Sequence, residues 1–212
     1  VEDPVEYELQ GITQIQAHDK IDMTFARALR SLLRQDPDVV LVGEIRDLET
    51  AGVAIQAAMT GHLVLSTLHT NDAPSSITRL INIGIEPFLV AGAVNGVLAQ
   101  RLARRVCGKC AEVSAPTPEE TAILGEVGIE ASEIPHARGC SSCRGTGYSG
   151  RVGLYELLPL DDELRDVIAS NPSVTAFRAR CIDHGMVTLL RDGLAKVCAG
   201  LTTIEETLRI AA

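Results

Sequence analysis

Cys107 and Cys110 form one Cys-x-x-Cys pair, and Cys140 and Cys143 form a second. If all four sulfurs share one ion, the stretch from Ala111 to Gly139 must loop back on itself. Each pair can chelate from a single tight turn, so four thiolates at this double spacing close a tetrahedral zinc site. The second pair lies in Gly139-Cys-Ser-Ser-Cys-Arg-Gly-Thr-Gly147, whose glycines let the backbone curl around an ion. Disulfides or redox pairs are the competing reading, but nothing else in the chain points to a secreted, disulfide-stapled protein. Cys181 and Cys198 stand outside the double pair and read as small core residues.

The 212 residues suffice for one ordinary core plus a smaller module. At 46% hydrophobic and 22% charged the chain is globular rather than disordered. Aromatics make up 3% with no Trp, so the core must be built from Ala, Val, Ile and Leu. A net charge of −9 argues against a nucleic-acid partner, which needs a concentrated basic surface; only Arg101, Arg104 and Arg105 make a short cluster of that kind. No signal peptide is visible. The longest mainly apolar run, Pro87 to Ala99, contains Asn95 and falls short of a membrane span, so it reads as a buried helix. A cytoplasmic protein is expected, where thiols stay reduced. The opening, Val1-Glu-Asp-Pro-Val-Glu-Tyr7, lacks Met and is expected to belong to a fragment of a longer chain.

Thr24 is placed to cap a helix whose buried stripe is Phe25, Leu29, Leu32 and Leu33, with Arg27, Arg30 and Arg34 on another face. Asp36-Pro37-Asp38 stops it. Val39 to Ile45 reads as a strand buried on both faces, as in a parallel sheet. Asp47 caps a helix from Leu48 to Thr60, closed by Gly61. A second buried strand runs from His62 to Leu68, a helix from Ala73 to Ile83, and a long helix from Pro87 to about Arg105. Helices alternating with apolar strands imply right-handed crossovers and an α/β fold. Between the cysteine pairs a Pro- and acid-rich stretch has room for one short helix near 117–126. Arg151 to Leu158 reads as a strand, followed by helices near 162–169, 173–184 and 187–199. A last one starts at Thr203, where Thr203-x-x-Glu206 has the form of a capping box.

In open α/β sheets ligands sit at the carboxyl ends of the strands, and Glu44 and His69 fall there. An acidic residue after an apolar strand can hold a magnesium ion or its water, and another carboxylate can orient an attacking water. Glu2, Asp3 and Glu6 supply further carboxylates near a neighbouring strand edge.

Three stretches, Glu2-Asp-Pro-Val-Glu6, Leu32 to Asp47 and Thr60-Gly-His-Leu-Val-Leu-Ser-Thr-Leu-His-Thr-Asn-Asp72, resemble the Asp box, Walker B motif and His box of the secretion ATPases. These are the hexameric motors of type II secretion and type IV pilus assembly. The resemblance continues through Gly96 to Cys107, the tetracysteine module and Gly200 to Arg209, and so covers essentially the whole chain. Asn71-Asp-Ala-Pro74, Glu86-Pro-Phe88 and the cysteine spacing look more like the secretion and pilus-extension branch, type II secretion first, than like the retraction ATPases.

The resemblance implies a truncated RecA-like P-loop ATPase core with a parallel-rich sheet over residues 1–105, a tetracysteine module over 106–150 and a mainly helical subdomain over 151–212. It implies that Glu2 or Glu6 polarises the attacking water and that Glu44 supports magnesium through water. His62 and His69 would contact the γ-phosphate region, and Arg30 is a candidate nucleotide contact. Cys107, Cys110, Cys140 and Cys143 match the zinc ligands. ATP and Mg²⁺ would be used by a parent homohexamer at the cytoplasmic face of the inner membrane, held there through platform proteins rather than a transmembrane segment.

One motif departs from the pattern. The phosphate loop G-x-x-x-x-G-K-[ST] is absent; Gly108-Lys109 is followed by Cys110 and has Ala103 where the first glycine belongs. Without those amides and that lysine, nucleotide loses its main anchor, and this polypeptide alone is expected not to hydrolyse ATP. The alternative is a zinc-stabilised interaction module without catalysis.

Overall fold

Val39–Val42 (β1) and Leu63–Ser66 (β2) pair in parallel, Val39 opposite Leu63 and Val42 opposite Ser66, in a computed structural model that describes residues 1–211. Two helices lie beside them. Phe25–Leu32 (α1) is capped by Thr24, whose hydroxyl accepts from the Arg27 amide, and Leu48–Met59 (α2) is capped in the same way by Asp47. Leu29 of α1 and Val53 and Ala54 of α2 bury one face of the sheet with Val40 and Val42. The other face differs from the sequence expectation. Val39, Leu41, Leu63 and Leu65 are each about half exposed, because among the described residues no helix covers that side. β1 therefore shows period-two burial, and in β2 only Val64 is partly covered, instead of burial on both faces.

The next helix, Ala73–Ile83 (α3), has Asp72 as N-cap and Gly84 as left-handed C-cap at φ 115°, as its sequence predicts. The long helix expected from Pro87 to Arg105 is corrected. Pro87–Ala93 (α4) is short, and Gly96–Val106 (β3) is a strand. From Leu98 to Arg104 the burial alternates, which the alanines and leucines masked by satisfying a helical period as well. Pairing with the later strand Tyr148–Pro159 (β6) decides the conformation.

Between these strands, Glu112–Ser114 (β4) and Ile134–His136 (β5) form an antiparallel pair, with Pro118–Glu126 (α5) between them behind a Thr117/Glu120 capping box. Asp162–Ala169 (α6), Val174–Asp183 (α7), Leu189–Cys198 (α8) and Ile204–Ala211 (α9) complete the chain. The Thr203 box is half formed. Its hydroxyl accepts from the Glu206 amide at 3.2 Å, but the Glu206 carboxylate turns to Arg104 and Arg209 instead of to the cap backbone. Cys181 is buried as expected; Cys198 is exposed, since it closes α8 on its outer side.

Contacts divide the chain into two units, Val1–Val97 with Pro159–Cys181, and Leu98–Leu158 with Ile182–Ala212. In the first, α6 returns to α4, where Arg165 donates to Asn95 Oδ1 at 3.0 Å and to the Ala91 carbonyl. In the second, Leu124 and Ile134 from between the cysteine pairs share a core with Leu194 and Val197 of α8 and Ile204 of α9. No described helix is long and apolar enough to cross a membrane.

Candidate functional site

Gly43 is the pivot at the carboxyl end of β1. Its amide donates to the Val1 carbonyl at 2.7 Å and its carbonyl accepts from Thr67 Oγ1 at 2.6 Å, while the Ile45 amide donates to the Thr67 carbonyl at 3.1 Å. A Cβ at position 43 would meet the Val1 carbonyl oxygen at 3.0 Å, so a side chain there would push the first residues away. Glu44 is thereby held at the strand end with its side chain only 13% exposed. His69, which follows β2, brings Nε2 to 3.2 Å from Glu44 Oε2, and Arg46 donates through Nε to the same oxygen.

A cleft of about 340 Å³ opens beside Glu44 and is lined by Glu2, Glu6, Phe25 and Gly43 among others. Glu2 is fixed: its amide donates to Ile15, its carbonyl accepts from Ala17, and Gln14 Nε2 donates to its Oε2 at 2.8 Å. Glu6 is exposed on the same cleft. The structure thus brings Glu2, Glu6 and Glu44 around one concavity, with His69 on Glu44.

His62 and Arg30 lie elsewhere. His62 precedes β2, at the opposite end of the strand from His69, where Nδ1 is 3.0 Å from the Ala57 carbonyl and 3.3 Å from Thr60 Oγ1. Arg30 extends from α1 to Glu49 at 2.7 Å in an exposed pair. Sequence reading passed over Arg46 and Gln14. The adjacency of Arg46 to the Gly43-Glu44 turn was a usable signal; that of Gln14 was not, since it depends on how the first residues fold back.

The four cysteines converge. All four sulfurs lie within 4.8 Å of one another, and Cys143 Sγ is 3.8 Å from both Cys110 Sγ and Cys140 Sγ. A tetrahedral site with metal–sulfur bonds of about 2.3 Å has sulfur–sulfur edges of about 3.8 Å, whereas a disulfide needs about 2.05 Å. All four thiols are free. Cys143 accepts from the amides of Cys140 at 3.1 Å and Gly147 at 3.2 Å. The Cys140 amide foremost, with that of Gly147, brings the Cys143 thiol down to about 6 against its burial, while burial pushes Cys110 up to about 12. Amide donors around a sulfur favour its thiolate, the form that ligates a metal. The donor set fits a metal ion.

The turn tolerates no side chain at its ends. Gly139 sits at φ 115°, and a Cβ there would lie 2.5 Å from the Gly145 carbonyl oxygen; at Gly147, φ 77°, it would lie 2.7 Å from Ala137 Cβ. Gly139→Ala is expected to lower metal occupancy at limiting metal severalfold and to cost about 1–3 kcal/mol, read by metal analysis and thermal melting. Unchanged occupancy and melting would show that the turn has slack.

Residues 1–209 match the family described as type II/IV secretion system protein. The chain belongs to that family. It is 51% identical over 210 residues to the type IV pilus assembly ATPase PilB of Thermus thermophilus, covering 98% of this chain and 24% of that protein. Identity is also 51% over 210 residues to type II secretion system protein E of Pseudomonas aeruginosa, covering 99% of this chain and 42% of that protein. Among solved structures, the pilus retraction motor PilT with bound ADP superposes with a TM-score of 0.68 at 28% identity over 99% of this chain and 50% of PilT. The Legionella pneumophila ATPase DotB shares the fold, with a TM-score of 0.65 at 23% identity over 98% of this chain and 49% of DotB. The α/β fold is thus that of the secretion ATPases, and this family member spans less than half the length of both sequence relatives.

Proposed function

We propose that this chain carries the water-activating and metal-supporting carboxylates of an ATP-hydrolysing motor for type II secretion or type IV pilus assembly. One observation carries the reading: Glu44 and His69, from the ends of two paired strands, meet at 3.2 Å beside a cleft that also holds Glu2 and Glu6. In this reading Glu2 or Glu6 orients the water, Glu44 holds Mg²⁺ through water, and His69, paired with Glu44, lies toward the γ-phosphate, with His62 as the second member of the His box. Arg30 becomes available to nucleotide when its pair with Glu49 opens. In this reading the ATPase core is assigned to 1–105, the metal module to 106–150 and the helical subdomain to 151–212, with Pro159–Cys181 packed into the same compact unit as the start of the core. The intact motor works as a homohexamer at the cytoplasmic face of the inner membrane, docked on platform proteins, and zinc is the structural ion held by Cys107, Cys110, Cys140 and Cys143.

The 212 residues contain no G-x-x-x-x-G-K-[ST] loop, so by themselves they bind nucleotide poorly and act as a zinc-stabilised module. A chimera separates the two levels. When this chain replaces the matching 210 residues of the P. aeruginosa relative, ATP turnover is expected to persist, and Glu44→Gln is expected to lower it by about 100-fold or more. A correctly assembled chimera indifferent to Glu44→Gln, or turnover by the 212-residue chain alone, would overturn the assignment.

A further inference from the structure

The Gly200–Arg209 stretch takes no part in the cleft, none of whose lining residues comes from it. Its surroundings lie at the cysteines. Gly147 serves both pairs: its amide donates to Cys143 Sγ at 3.2 Å and its carbonyl accepts from the Cys107 amide at 2.9 Å. The next residue, Tyr148, reaches away from the sulfurs and hydrogen-bonds Thr203 Oγ1 at 2.8 Å, just before α9. Its ring lies 4.1 Å from the Arg104 guanidinium, which holds Glu206 of α9 through Nε at 2.9 Å and Nη2 at 2.7 Å. The residues before Cys107 are stitched to the same turn, with the Val106 amide donating to the Leu201 carbonyl at 2.9 Å and Thr202 Oγ1 to the Arg104 carbonyl at 2.9 Å. Thr202, Thr203 and Glu206 are all buried.

We propose that the Gly200–Arg209 stretch is a lock on the tetracysteine site, so that metal loading and docking of α9 stabilise each other, with Tyr148 and Glu206 as positioning residues for the metal. This rests on the metal reading above. The ligand turns are short and glycine-rich, so on their own they hold the sulfurs loosely; anchoring the residues on either side of them preorganises the site. Coupling is reciprocal: whatever α9 contributes to metal affinity, the metal returns to the order of α9. A tie that merely holds the fold together would act on metal affinity only through the folded fraction, so variants that stay folded would keep the wild-type affinity.

The test uses the full 212-residue chain, loaded with Zn²⁺ and then stripped by a chelator under reducing conditions. Amide hydrogen exchange within α9 is expected to speed up on stripping while that within α2, in the other unit, does not change. In competition with a chromophoric chelator, Tyr148→Phe is expected to weaken Zn²⁺ binding about fivefold and Glu206→Gln about tenfold or more. Wild-type affinity in both variants, with folding verified by circular dichroism, overturns the lock, as does α9 exchange that ignores the metal. A chain that binds no Zn²⁺ overturns the metal reading together with the lock; one that binds it with α9 unaffected overturns the lock alone.

Discussion

Cys143→Ser is expected to abolish metal binding and to melt the unit formed by Leu98–Leu158 and Ile182–Ala212, while the unit containing β1 and β2 stays folded. Cys143 is the sulfur around which the others gather, 3.8 Å from two of them and accepting two backbone amides. Serine keeps the shape but offers a hydroxyl that stays protonated. Structural zinc in small modules contributes apparent free energies of about 10–16 kcal/mol at neutral pH, as much as the whole stability of an ordinary domain. The apolar clusters of this unit are small and purely aliphatic, Leu124 with Ile134, Leu194, Val197 and Ile204 in one and Ala103 with Leu154 and Leu189 in another. They have little to replace the ion with. Metal analysis of the wild-type chain should give about one zinc per chain, and calorimetry should show one of two transitions lost in Cys143→Ser. Absence of metal with the thiols paired as disulfides, or a melt identical in the variant, would sink the assignment.

The convergence of the four cysteines was legible because its signal is local. Two turns, each with its own ligands and glycines, fix what the sulfurs can do, and the long connection only has to let them meet. Glu44 and His69 were legible for a related reason, since each follows a short apolar strand and both strands run in parallel. The path from Gly96 to Val106 was not legible. Its leucines and alanines satisfy a helical period, and what makes it a strand is its pairing with Tyr148–Pro159, on the far side of both cysteine pairs in sequence. Likewise, nothing local in Pro159–Cys181 says that it returns to α4 and the Asn95 carbonyl, which accepts from the Leu160 amide at 3.0 Å. The half-exposed strands β1 and β2 record a further limit: an apolar run shows that both faces suit burial, while burial itself depends on what other elements supply. Glu206 was read as a capping residue from its spacing to Thr203. Spacing could not reveal that two arginines, one of them from β3, compete for its carboxylate and win.

That competition makes Glu206→Ala the most damaging single change expected outside the metal ligands. The carboxylate is fully buried and accepts from the Arg104 amide at 2.8 Å, from the Arg104 guanidinium, and from Arg209 Nε at 2.8 Å and Nη2 at 2.6 Å. Burial by itself would raise its pKa; the hydrogen bonds from Arg209 and Arg104 more than reverse this and hold it at about 2, against an ordinary 4.5. Truncation strands one backbone amide and two guanidiniums. Breaking a buried pair from one side costs about 3–5 kcal/mol, and the lower end applies because Arg104 and Arg209, with side chains 44% and 54% exposed, can turn to water. The sign with pH follows from the depressed value. Above about pH 4.5 the carboxylate is ionised in folded and unfolded chains alike, and its contribution to stability is complete. As the pH falls from there toward 2, the unfolded chain takes up its proton first and the contribution drains away. Denaturant unfolding of the Zn²⁺-loaded chain and of its Glu206→Gln variant should therefore differ most above pH 4.5, and the difference should shrink as the pH falls below it. Curves that stay parallel down to pH 2 would mean that the arginines, whatever their geometry, do not hold this carboxylate in its charged form.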